Sequence, residues 1–301
     1  MTNAAKGWWF GLLGVTIFAF TLPFTRLAVG SADAPQMSGI FVAMGRASVA
    51  ALLSLALLVL SRAPFPRRGQ WFLIGMTSLG VVFGFPLLTS MAMRYVESVH
   101  ASVMLGILPL ATAAIGAIQN KQRPSLGFWF WALLGAALVV MYALLHSGQT
   151  RWTIGWADAM LLLATVCAAF GYGYGARLTA SMPAEHVICW ALVFAVPLTF
   201  PLALWSWPTG SISASAWLGF AYVSVFSMWV GFFAWYRGLA LGGTVRVSQV
   251  QLFQPFISIL VSLPLLGESL DALTLGFAVA VIASVFIGKR MPVSSTTRGQ
   301  T

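Results

Sequence analysis

Ten long apolar runs restrict what this chain can fold into more than any other feature. They cover residues 7–29, 37–60, 70–93, 96–119, 126–145, 155–180, 186–205, 214–241, 245–266 and 270–287. Crossing about 30 Å of hydrocarbon takes about 20 mostly apolar residues in helical form, so each run is long enough to span a bilayer. Barrel strands would alternate in polarity over about ten residues, and Ala50-Ala51-Leu52-Leu53-Ser54-Leu55 does not. Helices also pair their own backbone groups, which lipid cannot do. Only 7% of the 301 residues are charged, against about 25% in an ordinary soluble domain. The reading is an all-α membrane protein of ten transmembrane helices, with short connections that make consecutive helices antiparallel. The first run exceeds the apolar core of a secretory signal and is expected to stay as a helix, although Ala32-Asp33-Ala34 resembles a cleavage site. Residues 289–301, polar and rich in Ser and Thr, read as a disordered cytoplasmic tail.

Basic residues set the orientation. With the N-terminus in the cytoplasm, twelve Lys and Arg of the connections and ends lie inside, among them Arg62, Arg67, Arg68, Lys121, Arg123 and Arg237, and only Arg94 and Arg151 lie outside. Both termini are therefore expected in the cytoplasm, with the chain multi-pass in a bacterial inner membrane. The net charge of +10 then reads as a topology signal and not as nucleic-acid binding.

The two halves echo each other. Ser98-Val99-His100-Ala101-Ser102 precedes Pro109 as Thr244-Val245-Arg246-Val247-Ser248 precedes Pro255, 146 positions later. Residues 7–147 and 153–288 thus read as two five-helix repeats. Five is odd, so the second enters the membrane from the opposite side. Such inverted pairs enclose a central cavity near the midplane in many secondary transporters.

Gly243-Thr244-Val245-Arg246-Val247-Ser248, then Pro255, then Leu266-Gly267-Glu268, resembles the drug/metabolite transporter superfamily and its ten-helix EamA-type exporters. Arg46 followed by Ala50-Ala51-Leu52-Leu53 is a second match, while Lys121-Gln122 departs from the Gly-Glu pattern in the first repeat. Within that group the chain is most similar to YddG-type aromatic amino acid exporters. The resemblance implies an exporter of amino acids, with a cavity lined by the first, third, fourth, sixth, eighth and ninth helices.

Candidate site residues follow from polar, aromatic and helix-breaking side chains near the midplane. Arg46 is costly at that depth and must face the bundle interior or a wet cavity, either as a brace to backbone carbonyls or as a partner for a substrate carboxylate. Gln251 and Gln254 stand beside Pro255, which frees a carbonyl one turn earlier; interhelical hydrogen bonding is their plainer role. Pro23, Pro86 and Pro109 are the other expected helix breaks. Phe20, Phe24, Phe83, His100, Met104, Tyr172, Tyr174, Trp229 and Phe233 complete the candidate lining, with Tyr172 and Tyr174 about 200° apart so that at most one faces the cavity fully. Ordinary packing or lipid contact is the alternative for each aromatic. All six acids lie near run ends, so transport is expected to run without tight proton coupling. There is no catalytic constellation, metal-ligand spacing, cofactor motif or phosphate loop, and Cys167 and Cys189 read as inert thiols. The expected partners are a small-molecule substrate and membrane lipid, with no nucleic acid; the sequence leaves the oligomeric state open and is compatible with a monomer. Export of other metabolites or drugs by the same fold is the alternative.

Overall fold

The computed structural model of the chain describes residues 2–119, 122–146, 155–288, 290–291 and 293–295. Among them, seven helices are long and apolar enough to cross a membrane: α1 Asn3–Val29, α2 Gly39–Leu60, α3 Arg68–Ala92, α4 Ser98–Gln119, α6 Trp156–Leu178, α7 Ala184–Trp205 and α8 Ala214–Gly242. Three further apolar helices are α5 Leu126–His146, α9 Val250–Leu266 and α10 Ala272–Gly288. Residues 147–154, which hold the expected end of one repeat, the start of the next and Arg151, lie outside the described residues. So does most of the expected tail. Part of that tail differs from expectation: β2 Val293–Ser295 pairs antiparallel with β1 Gln122–Pro124, each segment satisfying the other's backbone groups.

The helices pack in fixed couples: α1 lies along α8, α2 along α7, α3 along α6, α4 along α9 and α5 along α10. Glycine permits the closest approaches. A Cβ at Gly238 would meet the Gly11 backbone nitrogen at 2.7 Å, and one at Gly7 would meet Gly242 at 2.5 Å, so α1 and α8 touch backbone to backbone. The same holds between α3 and α6, where a Cβ at Gly80 would lie 2.5 Å from the Cys167 carbonyl.

Where the regular helix gives way, it does so in matched places. α3 widens into a π-helical turn at Ser78–Gly84 and α8 into another at Val223–Val230. α4 tightens into a 3-10 turn at Leu105–Ile107, and Ser248–Phe253 does the same at the entry to α9. Proline accounts for three of these four. It removes one N–H and crowds the carbonyl four residues earlier, and the residues four before Pro86, Pro109 and Pro255 are Val82, Leu105 and Gln251, each inside an irregular turn. Pro23 acts likewise: Ala19, four residues earlier, ends the first part of α1, and Phe20 breaks the helix. The turn in α8 has no such proline.

Candidate functional site

The irregular turns surround two small adjoining voids at the centre of the bundle. One is bounded by Phe18 and Thr21 of α1, Arg46 of α2, Phe85 of α3, Tyr172 of α6, Phe232 of α8 and Gln254 of α9. The other lies between α1, α4 and α9, against Leu22, Ser102, Leu105, Gln251, Gln254 and Ser258. Gln254 belongs to both. Each void leaves about 10 Å³ open to a water-sized sphere, room for about one water molecule.

Polar groups at this centre are incompletely matched. Arg46 is 1% exposed, and neither its Nε nor its Nη1 has a hydrogen-bond partner. Both amide atoms of Gln251 and the Oε1 of Gln254 are likewise buried without partners. A desolvated, unmatched guanidinium costs several kcal/mol, and an unsatisfied amide about 1–3 kcal/mol. Their neighbours are better served: Thr21 and Ser227 share a hydrogen bond of 2.8 Å, as do Ser102 and Ser258. Ser98 accepts from Ser262 at 3.0 Å. An aromatic wall closes one side, with Phe18 5.0 Å from Phe232 and Tyr172 5.3 Å from Trp235 between ring centroids.

Of the sequence-predicted residues, Arg46, Tyr172, Gln251, Gln254 and Pro255 border these voids; the others point elsewhere. Phe24 stacks on Tyr222 at 4.3 Å and Phe20 lies tilted against it at 5.9 Å, because the inward face of α1 carries Phe18, Thr21 and Leu22. Phe83 packs toward Met44 and Leu87, and the wide turn of α3 brings Phe85 inward instead. Trp229 turns toward Cys189 of α7 and meets Phe233 edge to face at 5.0 Å, leaving the inward position to Phe232. A π-helical turn adds a residue per turn and so rotates every later side chain away from a 3.6-residue extrapolation. Tyr174 stands with Phe72 and Phe170 on the outer surface. Met104 is wholly buried among core side chains, and Ser102 and Leu105 take the inward places on α4.

His100 has a different surrounding. Its Nε2 lies 2.6 Å from Oδ1 of Asp158, both side chains being buried, and Tyr142 lies 5.1 Å from the imidazole. Asp158 sits in the first turn of α6 and also accepts from the Gly155 N–H at 3.2 Å. Glu268 ties the same end of the bundle, accepting from the Ser98 N–H at 2.7 Å and the Val99 N–H at 2.8 Å. Burial raises its carboxyl above the ordinary value of 4.5, against the pull of those two donors. Arg26 donates to the Met93 carbonyl nearby.

The EamA-like transporter family matches this chain twice, over residues 5–145 and 155–288. The chain belongs to that family. The Bacillus subtilis (strain 168) protein described as uncharacterized transporter YdeK is 39% identical over 292 residues, which cover 96% of this chain and 99% of that one. Uncharacterized transporter YyaM of the same organism is 24% identical over 284 residues, covering 91% and 90%. A solved structure described only as a crystal structure of a protein superposes with a TM-score of 0.65 at 16% identity over 94% of this chain and 96% of that one, a likeness of fold alone. This EamA-family chain is thus a multi-pass membrane transporter, and its unmatched polar centre is the candidate site for what it carries.

Proposed function

We propose that this transporter exports small carboxylate-bearing metabolites, foremost aromatic and other neutral amino acids, by alternating access across a bacterial inner membrane. The observation that carries the reading is Arg46, a buried guanidinium whose Nε and Nη1 donate to nothing. A brace would be bonded to carbonyls. Unspent guanidinium donors are what a carboxylate needs, and such charge-assisted pairs are strong. Gln254 Oε1 and Gln251 Oε1 supply acceptors for an ammonium group, and the Phe18–Tyr172–Phe232 wall supplies a surface for an aromatic side chain. No acid borders either void, which disfavours a cationic drug.

Alternating access rests on ten spans in two inverted repeats. Several observations support that arrangement. Ser98 meets Ser262 while Ser102 meets Ser258, so α4 and α9, counterparts five helices apart, run in opposite directions. Counterparts α5 and α10 do likewise, with Gly135 beside Ser284 and Gly288 beside Trp131. Exchanging each helix for its counterpart also turns the α1–α8 couple into the α6–α3 couple. Two voids that admit about one water describe a closed stage of the cycle, and parting the repeats would widen the site for a metabolite. Both termini are cytoplasmic in this reading.

Counterflow in proteoliposomes with labelled amino acids and their carboxamides tests the proposal. Amino acids should exchange and the amides should fail to compete. Equal competition by both would remove the carboxylate from the recognition, and absence of exchange by any amino acid would overturn the substrate class.

A further inference from the structure

A cavity that shares no lining residue with the central site lies between α2 and α7, bordered by Arg62, with Arg67 and Arg68 a few residues further along the chain. It has a volume of about 550 Å³ and is partly open at the surface. Leu55 and Leu58 of α2, with Arg62 just past its end, face Trp190, Phe194 and Pro197 of α7 across it. Trp190, Phe194 and Pro197 recur at four- and three-residue spacing and form one helical stripe, which Leu55 and Leu58 oppose. The advance from Trp190 to Pro197 makes that stripe about 10 Å long.

Arg62 marks the polar end of this groove in an unusual way. Its φ of 49° makes it the sole non-glycine residue with positive φ among the described residues. The local hydrogen bonds explain the angle: Ala63 N–H donates to the Leu58 carbonyl and Arg62 N–H to the Val59 carbonyl, the paired bonds that close a helix through a left-handed residue. Glycine fills that position without strain; a side chain there pays a conformational cost and gains something else. Here it gains a place on the groove. Arg67 and Arg68 follow in the same connection, no acid borders the cavity, and Trp71 and Trp190 lie 6.4 Å apart beside it, as interfacial tryptophans do.

We infer that this groove seats one anionic phospholipid, with an acyl chain along the apolar stripes and the phosphate on the Arg62 guanidinium. Guanidinium matches phosphate geometry with paired donors. Basic pockets between spanning helices on the positively charged side suit anionic headgroups. The occupant is a lipid because the walls are apolar and belong to two spanning helices, which a free anion would not require.

The test uses the whole chain purified in neutral detergent, with lipid retention read by native mass spectrometry. Phosphatidylglycerol should be retained about fivefold better than phosphatidylcholine of the same chains, a ratio set by one Arg–headgroup contact. In R62G the two lipids should be retained equally. That variant places glycine where the helix end favours it, so its unfolding temperature should not fall; R62Q, which keeps most of the side chain's length, should give the same loss of preference. A phosphatidylglycerol preference that survives in both variants, or none in the unaltered chain, overturns the assignment. Thermal protection by inorganic phosphate equal to that by phosphatidylglycerol would overturn it as well, since the apolar stripes would then contribute nothing.

Discussion

Replacing Arg46 by methionine separates recognition from architecture. The guanidinium is 1% exposed, and two of its nitrogens have no partner. Exchanging buried charged groups for apolar side chains of similar volume is often neutral or stabilising, by about 1–4 kcal/mol. Arg46→Met should therefore leave thermal unfolding unchanged or raise it by several degrees. The effect on transport should run the other way. A hydrogen bond to a charged group contributes about 1.5–3 kcal/mol, and every 1.4 kcal/mol is tenfold in affinity, so the half-saturating amino acid concentration in counterflow should rise at least tenfold. Competition by the matching carboxamide, which never had the charge to lose, should change little. Two measurements decide the matter: unfolding of the purified protein, and counterflow with acid and amide side by side. A fall in unfolding temperature together with an unaltered ratio of acid to amide would mean that Arg46 holds helices and not substrate, and the carboxylate reading would be refuted.

Other expectations follow from the same geometry. Phe232→Leu, on the void, should reorder the ranking of aromatic against aliphatic substrates in counterflow, whereas Trp229→Ala, which faces Cys189, should lower stability by about 3–5 kcal/mol and leave the ranking intact; a reordered ranking in Trp229→Ala would return that residue to the site. Gly238→Ala places a methyl 2.7 Å from the Gly11 nitrogen and should cost about 1–3 kcal/mol by forcing α1 and α8 apart, and an unaltered unfolding temperature would contradict that close approach. The raised Glu268 carboxyl gives a pH dependence with a defined sign. Between 4.5 and its raised value the folded protein holds the extra proton, so stability falls as pH rises across that window. Glu268→Gln should remove that part of the slope in thermal unfolding, and equal slopes in the two proteins would refute it.

Much of the bundle could be read from hydrophobic run length, because a span must be long, apolar and internally hydrogen-bonded. Seven of the expected runs appear as helices long and apolar enough to cross a membrane and three as further apolar helices. The prolines pointed to the irregular turns because a missing N–H acts on a known carbonyl. The lining was less legible. Arg46, Tyr172 and the two glutamines announced themselves as polar groups within apolar runs. Phe18, Phe85 and Phe232 are three among 22 phenylalanines, and their inward direction depends on turns wider or tighter than 3.6 residues. The turn at Val223–Val230 has no proline to betray it, so an even helical wheel selects Trp229 and Phe233 in place of Phe232. Asp158 stood out in the sequence only as one of six acids near run ends; nothing there pairs it with His100, against which it is buried. The paired hydroxyls Ser98 with Ser262 and Ser102 with Ser258 could have been noticed, since both pairs share four-residue spacing on counterpart helices.

The wide turns of α3 and α8 have a consequence for the chain's ancestry and its tolerance of deletion. They occupy Ser78–Gly84 and Val223–Val230, the same place in each half. An extra residue acquired independently by both halves at one spot is a poor coincidence; a feature already present before the gene doubled needs only one event. Both halves have then kept it, although losing a single residue would restore even winding. Such a deletion in α3 would swing Phe85 and everything beyond it by about 100° around the helix axis, turning that ring away from the central void and leaving one half wound differently from the other.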